Sequence, residues 1–185
     1  MLLLIGTFVI ASCSTTKTKT LIDSFGDKPS WAKSSNARWE ENNEVFIRAT
    51  STVKGNEKVD DCYELAKLNV KEVLISELQN SIKGTINDTF QSMSASTEII
   101  LGESKTSEFA GQIKGLKFTE KYFEKSLMDG AERIECQILS EITQKDYDKM
   151  KHLIVNKVQE VDPTIKEAVK QKNIDFFAEP SAMKK

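Results

Sequence analysis

An amphipathic helical pattern between about residues 59 and 83 constrains the fold of this chain more than any other feature. Apolar side chains recur there at helical spacing, and charged or amide side chains fall between them. Asp60 and Asp61 lie in the predicted first turn, where carboxylates cap free N–H groups, and Gly84 suits the end of the helix. The recurring apolar residues are Ala66, Val70, Val73, Leu74, Leu78 and Ile82.

Short alternating patterns flank this helix and predict strands. Residues 45–50 alternate between apolar and more polar side chains, and the strand is expected to end at residues 54–56. Residues 116–122 and 134–138 lie on either side of Asp129-Gly130, which predicts a hairpin at the centre of a sheet. The predicted fold class is α+β, with a small antiparallel sheet of about three strands in β-α-(α)-β-β-α order and helices packed on one face.

Helical spacing returns on both sides of the hairpin. Residues 86–115 predict one or two helices with a break near Gly102. After the hairpin, Thr143 and Asp146 resemble a capping box ahead of an apolar stripe, and Pro163 begins a short last helix. These helices complete the predicted core.

The N-terminus carries an apolar run that ends close to a cysteine. Residues 2–11 are about half as long as the roughly 20 residues of a spanning helix, and therefore predict a signal sequence. Ile10-Ala11-Ser12-Cys13 resembles the bacterial lipobox, in which the cysteine is diacylated with chains such as palmitate. Cleavage before the cysteine follows, and the new amine is usually acylated too. No Lys or Arg precedes the run, so we expect the natural start to lie upstream. A plain secretory signal or a buried strand is the alternative.

These patterns divide the chain into four parts. Residues 1–12 are a predicted lipoprotein signal peptide, and residues 13–28 are the lipidated cysteine and a flexible, polar tether. Residues 29–178 are a single α+β domain, and residues 179–185 are a loose tail.

The charge balance argues against nucleic acid as a partner. The chain has 26 Lys and Arg against 28 Asp and Glu, a formal net charge of -2. It therefore lacks the broad positive field that non-specific nucleic-acid binding requires. The predicted partners are the membrane, through the lipid anchor, and an envelope protein or a second copy of the chain. Ser14, in place of an Asp retention signal, favours the outer membrane under enterobacterial sorting rules.

Two cysteines are left once Cys13 is assigned to lipid. Cys62 and Cys136 form an even pair in an exported, oxidising compartment. A disulfide between them would close a loop of about 75 residues and stabilise the fold by about 4 kcal/mol. Alternatively, they are two buried thiols that act as small apolar side chains.

The sequence contains no convincing catalytic or metal-binding set. His152 is the only histidine and lies on a charged helix, so a His-based metal site or a Ser-His-Asp triad would depend on it alone. We therefore predict no enzymatic activity, metal ion or cofactor.

Trp31 and Trp39 are the candidate partner-binding residues, because aromatic side chains dominate interface energetics. The alternative is that they cover the edge of the sheet where the tether enters. The Ser/Thr-rich segment 92–107 is similarly either a mobile binding arm or the outer face of a packed helix.

From the N-terminus onward, the chain has a lipobox-like motif, a polar tether, a Pro-x-Trp motif, a short strand, a helix, a polar helical stretch, a hairpin and a closing helix. This order of features resembles the LPP-twenty family of small bacterial membrane-associated lipoproteins. The resemblance implies a helix packed on a small antiparallel sheet and a non-enzymatic role at the outer membrane. Arg48 stands where that family often has glycine, and the helix has fewer alanines than in the family, so we expect looser packing between helix and sheet. The residues that carry the resemblance are Cys13, Pro29, Trp31, 46–51, Ala66 and 122–138.

Two functional hypotheses follow. In the first, the chain is a lipid-anchored envelope lipoprotein whose domain acts as an interaction or structural module. In the second, the domain carries or senses a small apolar ligand in a cavity between helix and sheet, lined by residues such as Val73, Phe118 and Ile138.

Overall fold

A five-stranded antiparallel sheet organises the domain. The computed structural model describes residues 19–90, 93–172 and 176, without the side chains of residues 104, 171 and 172. The strand order in the sheet is β1-β4-β5-β3-β2. The strands are β1 (Lys19–Ser24), β2 (Arg38–Glu41), β3 (Glu44–Lys54), β4 (Lys117–Met128) and β5 (Ala131–Thr143).

The long helices α2 and α5 pack against the same face of the sheet, and the shorter α3, α4 and α6 pack against these two. A 3-10 turn at Glu103–Lys105 directly precedes α4, so the break predicted near Gly102 is confirmed. The helices are α1 (Ser30–Lys33), α2 (Val59–Thr89), α3 (Ala95–Ile100), α4 (Thr106–Ala110), α5 (Gln144–Val161) and α6 (Pro163–Lys172).

The α+β class is confirmed, but the expectation of about three strands is wrong because two edge strands were not predicted. β1 lies inside the segment assigned to the tether and has no apolar alternation, since its residues are exposed or half-buried. β2 has four residues, too few to show a period. Both strands exist because neighbouring strands supply their hydrogen-bond partners.

Tight turns fix the register of both hairpins. Asn42 and Asn43 join β2 to β3 with φ angles of 53° and 63°, and Asp129 and Gly130 join β4 to β5 with φ angles of 52° and 80°. Two consecutive positive φ angles define the turn whose twist matches that of paired strands. The predicted hairpin at Asp129-Gly130 is confirmed, and β5 is the central strand of the sheet.

Helix α2 runs past Gly84, the residue predicted to end it. A Cβ at Gly84 would meet no atom within 4 Å, so nothing in the packing requires glycine there. Ile86 is 1% exposed and extends the buried stripe by another turn. The hydroxyls of Thr85 and Thr89 donate to backbone carbonyls four residues earlier, which accommodates both residues in the helix.

The buried stripe of α2 winds around the helix rather than following one side. Its apolar members repeat every four residues from Cys62 to Ile86. A helix has 3.6 residues per turn, so each step advances the stripe by about 40°. Along this winding stripe α2 packs against β3 and β5 of the sheet and also against α4 and α5. Gln79, assigned by the pattern to the polar face, is consequently buried at 2% exposure.

Several sequence predictions concern residues outside the described part of the chain. The signal peptide (1–12), the lipidated Cys13 and the tail (179–185) lie there. Phe176, within the predicted domain 29–178, is buried in the core at 3% exposure.

Candidate functional site

The segment between β1 and β2 crosses the sheet face opposite α2. β1 and β2 are the two edges of the sheet, so residues 25–37, here called the strap, must pass from one edge to the other. The strap contacts β4 through Lys28 and Trp31 and β3 through the backbone of Ala32. Because of the strap, residues 136–140 of the central strand are buried on both faces.

Glu124 on β4 pairs with the first residue of β1 and with the strap. Its carboxylate accepts from Lys19 Nζ at 2.8 Å, lies 3.0 Å from Lys28 Nζ, and accepts from the Tyr122 hydroxyl at 3.2 Å. Burial tends to raise the pKa of Glu124, but the hydrogen bonds with Lys19 and Lys28 outweigh it and hold the pKa below its usual value. The stabilisation is therefore present above the ordinary carboxyl pKa and is lost as the pH falls through the lowered one.

Trp31 and Arg48 attach the middle of the strap. Trp31 is half-buried, and its indole N–H donates to Glu120 Oε2 at 2.7 Å. Arg48 Nη1 donates to the Ala32 carbonyl at 3.5 Å and to Gln137 Oε1 at 3.3 Å. Arg48 therefore lies on the strap side of the sheet, and the looser helix packing expected from it has no structural basis, because it does not face α2.

Trp39 lies on β2 at the other end of the strap. Its ring stacks on Phe46 of β3, with centroids 5.5 Å apart and planes 10° from parallel. Both side chains are only half-buried, so the stacked pair presents apolar surface at this edge. Each tryptophan thus has its own intramolecular partner, as expected if they cover the sheet, and each keeps surface that a partner could contact.

A second apolar surface lies at the β1 edge. Leu21, Ile22 and Phe25 are 56%, 49% and 61% exposed. The register of β1 against β4 shifts between Leu21 and Asp23, which places Ile22 in a bulge. Phe25 keeps one contact with the domain, because its ring lies 6.5 Å from the ring of Phe123, which packs against the core.

A disulfide joins Cys62 at the start of α2 to Cys136 on β5. Their Cα atoms are 5.9 Å apart, within the usual range for a disulfide, and both residues are fully buried. The Ser51 hydroxyl donates to the Cys62 carbonyl at 2.6 Å, which fixes this end of α2 on β3 as well.

The remaining polar candidates do not converge on one another. Asp60 and Asp61 lie in the first turn of α2 as predicted, but the N-cap residue is Lys58 and makes no side-chain cap bond, so their favourable effect is electrostatic. His152 is exposed on α5. Among the described residues, no group of three or more His, Cys, Asp or Glu side chains could hold a metal ion.

Residues proposed to line an apolar cavity are in different environments. Ile138 is 2% exposed in the core, whereas Phe118 is 38% exposed. Val73 borders an open cleft of about 400 Å³ together with Glu72, Glu77 and other polar residues, and neither Phe118 nor Ile138 lines it.

Comparison with known proteins identifies no relative of this chain. The chain matches no protein-family model, no curated protein and no solved structure. Within residues 19–90 and 93–172, no helix is both long and apolar enough to cross a bilayer. The functional argument therefore depends on the residues of this chain.

Sequence reasoning selected Trp31 and Trp39 but missed the polar residues that attach the strap. Tyr122, Glu124 and Ser126 alternate on one face of β4, and this period could have identified a second buried face. Lys19 and Lys28 gave no signal, because lysines in a polar segment are normally solvated.

Proposed function

We propose that this chain is a lipid-anchored lipoprotein of the bacterial outer membrane whose folded domain works by contacting another envelope protein or a second copy. The class is that implied by the resemblance to the LPP-twenty family, and no catalytic role is assigned. Cys13 is the anchor, and the domain begins six residues later at β1.

The buried Cys62–Cys136 disulfide is the observation that carries this proposal. Disulfides persist in exported proteins and are rare in the reducing cytosol. The bridge uses both cysteines of the domain, which leaves Cys13, in its Ala-Ser-Cys context, as the cysteine available for acylation. Two or three acyl chains are enough for stable attachment.

The stacked Trp39–Phe46 pair supports contact with a protein. Stacked aromatic side chains that keep exposed surface are typical anchors of interfaces. The pair adjoins the Asn42-Asn43 turn, whereas β1 begins beside Met128, at the opposite end of the sheet. A partner can therefore reach the pair while the anchor holds the other end.

The test of the anchor is labelling with a fatty-acid probe in cells that express the wild type or Cys13→Ser. We expect label and membrane association in the wild type, and neither in the variant. Serine is nearly isosteric with cysteine, so the substitution should not disturb the folded domain. An unfolding midpoint equal to that of the wild type is the control for this. An unlabelled wild type in the soluble fraction would disprove the proposal.

The test of the contact is in-cell crosslinking followed by mass spectrometry. Trp39→Ala should reduce the crosslinked species at least about fivefold, since interface anchors contribute about 1 to 2 kcal/mol or more. Leu68→Ala, which removes a 54% exposed side chain from α2, is the matched control and should leave crosslinking unchanged. Recovery of no protein, including the chain itself, would count against an interaction module.

A further inference from the structure

We infer that the β1 edge of the domain lies along the bilayer surface and places Leu21, Ile22 and Phe25 among the lipid headgroups. This inference rests on the proposed acylation of Cys13. It goes beyond the anchor because it gives the orientation of the domain: β1 runs parallel to the membrane, and the sheet stands on its β1 edge.

The first observation is the grouping of the three side chains. They are 56%, 49% and 61% exposed and lie within five consecutive residues of one edge. Exposed apolar residues are normally scattered, and a contiguous group marks a surface that something covers.

The second observation is the length of chain between the anchor and this edge. Six residue steps separate Cys13 from Lys19, and at most about 3.6 Å per step limits their separation to about 20 Å. The six residues of β1 themselves extend for about 20 Å. An upright strand would carry Phe25 well away from the membrane, whereas a strand along the surface brings all three side chains to it.

The structure of β1 favours a bilayer over a second copy as the occupant. The register shift between Leu21 and Asp23 interrupts the regular ladder, and such bulges protect edge strands from pairing with another chain. The hydrated headgroup region can still satisfy the unpaired N–H and C=O groups of the edge.

The charges around the edge are balanced. Lys19 and Lys28 are both paired with Glu124, and Asp23 and Asp27 lie between them in the chain. Contact with the membrane should therefore depend on apolar insertion, and we expect little change with the share of anionic lipid or with salt.

The experiment uses the full acylated chain in vesicles of phosphatidylethanolamine with a minor share of phosphatidylglycerol. Phe25→Cys introduces one free thiol, because Cys13 is acylated and Cys62 and Cys136 are bridged. An environment-sensitive fluorophore on that thiol should be quenched at least about threefold more by lipids with a shallow quencher than the same fluorophore at Ile99→Cys. Ile99 is 56% exposed on α3, which packs against α5.

Two double substitutions, each made in the chain labelled at position 25, distinguish insertion of the apolar side chains from simple closeness of the edge to the membrane. Leu21→Ser with Ile22→Ser should reduce the quenching at position 25 at least about twofold. Leu65→Ser with Leu68→Ser removes two leucines that are 45% and 54% exposed on α2 and should have no effect.

Each outcome bears on the inference. Equal quenching at positions 25 and 99 in a sample that carries acyl mass overturns the edge-down orientation and leaves the proposed function intact. Concentration-dependent protection of position 25 without vesicles shows that a second copy covers the edge and also overturns it. A vesicle-bound chain without acyl mass refutes the proposed function instead, and quenching confined to position 25 in the acylated chain supports the inference.

Discussion

Gln79 connects three segments of the chain through one buried amide. Its Nε2 donates to the Ile100 carbonyl at 3.0 Å and to the Gly102 carbonyl at 3.3 Å, and its Oε1 accepts from the Thr106 hydroxyl at 2.9 Å. A buried amide is stabilising only when its partners are present, and here the break between α3 and α4 supplies them. Gln79 therefore fixes this break against α2.

We expect Gln79→Ala to lower the free energy of unfolding by about 2 to 3 kcal/mol, because it leaves buried carbonyls without a donor. Urea unfolding followed by circular dichroism measures the change. Gln112→Ala, at an exposed position of the same residue type, should change it by less than about 0.5 kcal/mol. Equal effects at both positions would show that the three hydrogen bonds add nothing.

The Cys62–Cys136 bridge should be the largest single contribution to stability from any residue pair. It spans 74 residues, and loop-closure entropy gives about 4 kcal/mol for that length. We expect reduction, or the double substitution to Ala, to lower the urea midpoint accordingly. Cys13→Ser should leave the midpoint unchanged, and a midpoint insensitive to reductant would contradict the prediction.

At the scale of elements, Asp162 joins three helices at the end of α5. Its carboxylate accepts from the Thr97 hydroxyl of α3 at 3.0 Å and from the Thr164 backbone N–H of α6 at 3.1 Å. Hydrogen bonds from Ser94 and Thr164 outweigh burial and lower the pKa of Asp162 to about 2. The predicted start of the last helix at Pro163 is confirmed, whereas the link from Asp162 to α3 is a tertiary contact.

The lowered pKa of Asp162 makes the junction sensitive to acid. The carboxylate stabilises the fold above the ordinary pKa of 3.8, and this stabilisation is lost as the pH falls towards about 2. We expect Asp162→Asn to cost about 2 kcal/mol at neutral pH, and the cost to shrink below pH 4. Thermal unfolding across this range tests it, with the exposed Asp27→Asn as control; a cost independent of pH would contradict it.

At the scale of the whole molecule, the strap makes the sheet an inner layer rather than an open one. α2 and α5 cover one face, and the strap covers the other with a single short helix and several polar contacts. Ala32, at 3% exposure, is the residue of α1 that fits against the sheet. β1 and the strap thus belong to the folded domain, although the sequence analysis assigned β1 to the tether.

We expect Ala32→Lys to displace the strap, because it forces a long charged side chain into a buried position. The free energy of unfolding should fall by about 2 kcal/mol, and amide exchange should accelerate across residues 25–37. Ser30→Lys adds the same side chain at an exposed position of α1 and should change neither measurement. Similar exchange in both variants would mean that the strap is not packed as described.

The candidate site was only partly predictable for the same reason as the edge strands. Trp31 and Trp39 are large aromatic residues, so their type alone marked them. Glu124 is one of many charged residues in the sequence, and only the folded chain brings Lys19 and Lys28 to it. A residue pattern reports local periodicity, and these partners are about a hundred residues apart.

The sequence by itself determined the elements that bury a periodic apolar face: the first turns of α2, the strand β3, the β4–β5 hairpin and the capped start of α5. In each, local backbone geometry and hydrophobic burial favour the same structure. The tertiary structure decided the extent of α2, the two edge strands and the course of the strap. Those features depend on hydrogen bonds and packing supplied by distant segments, which no local pattern contains.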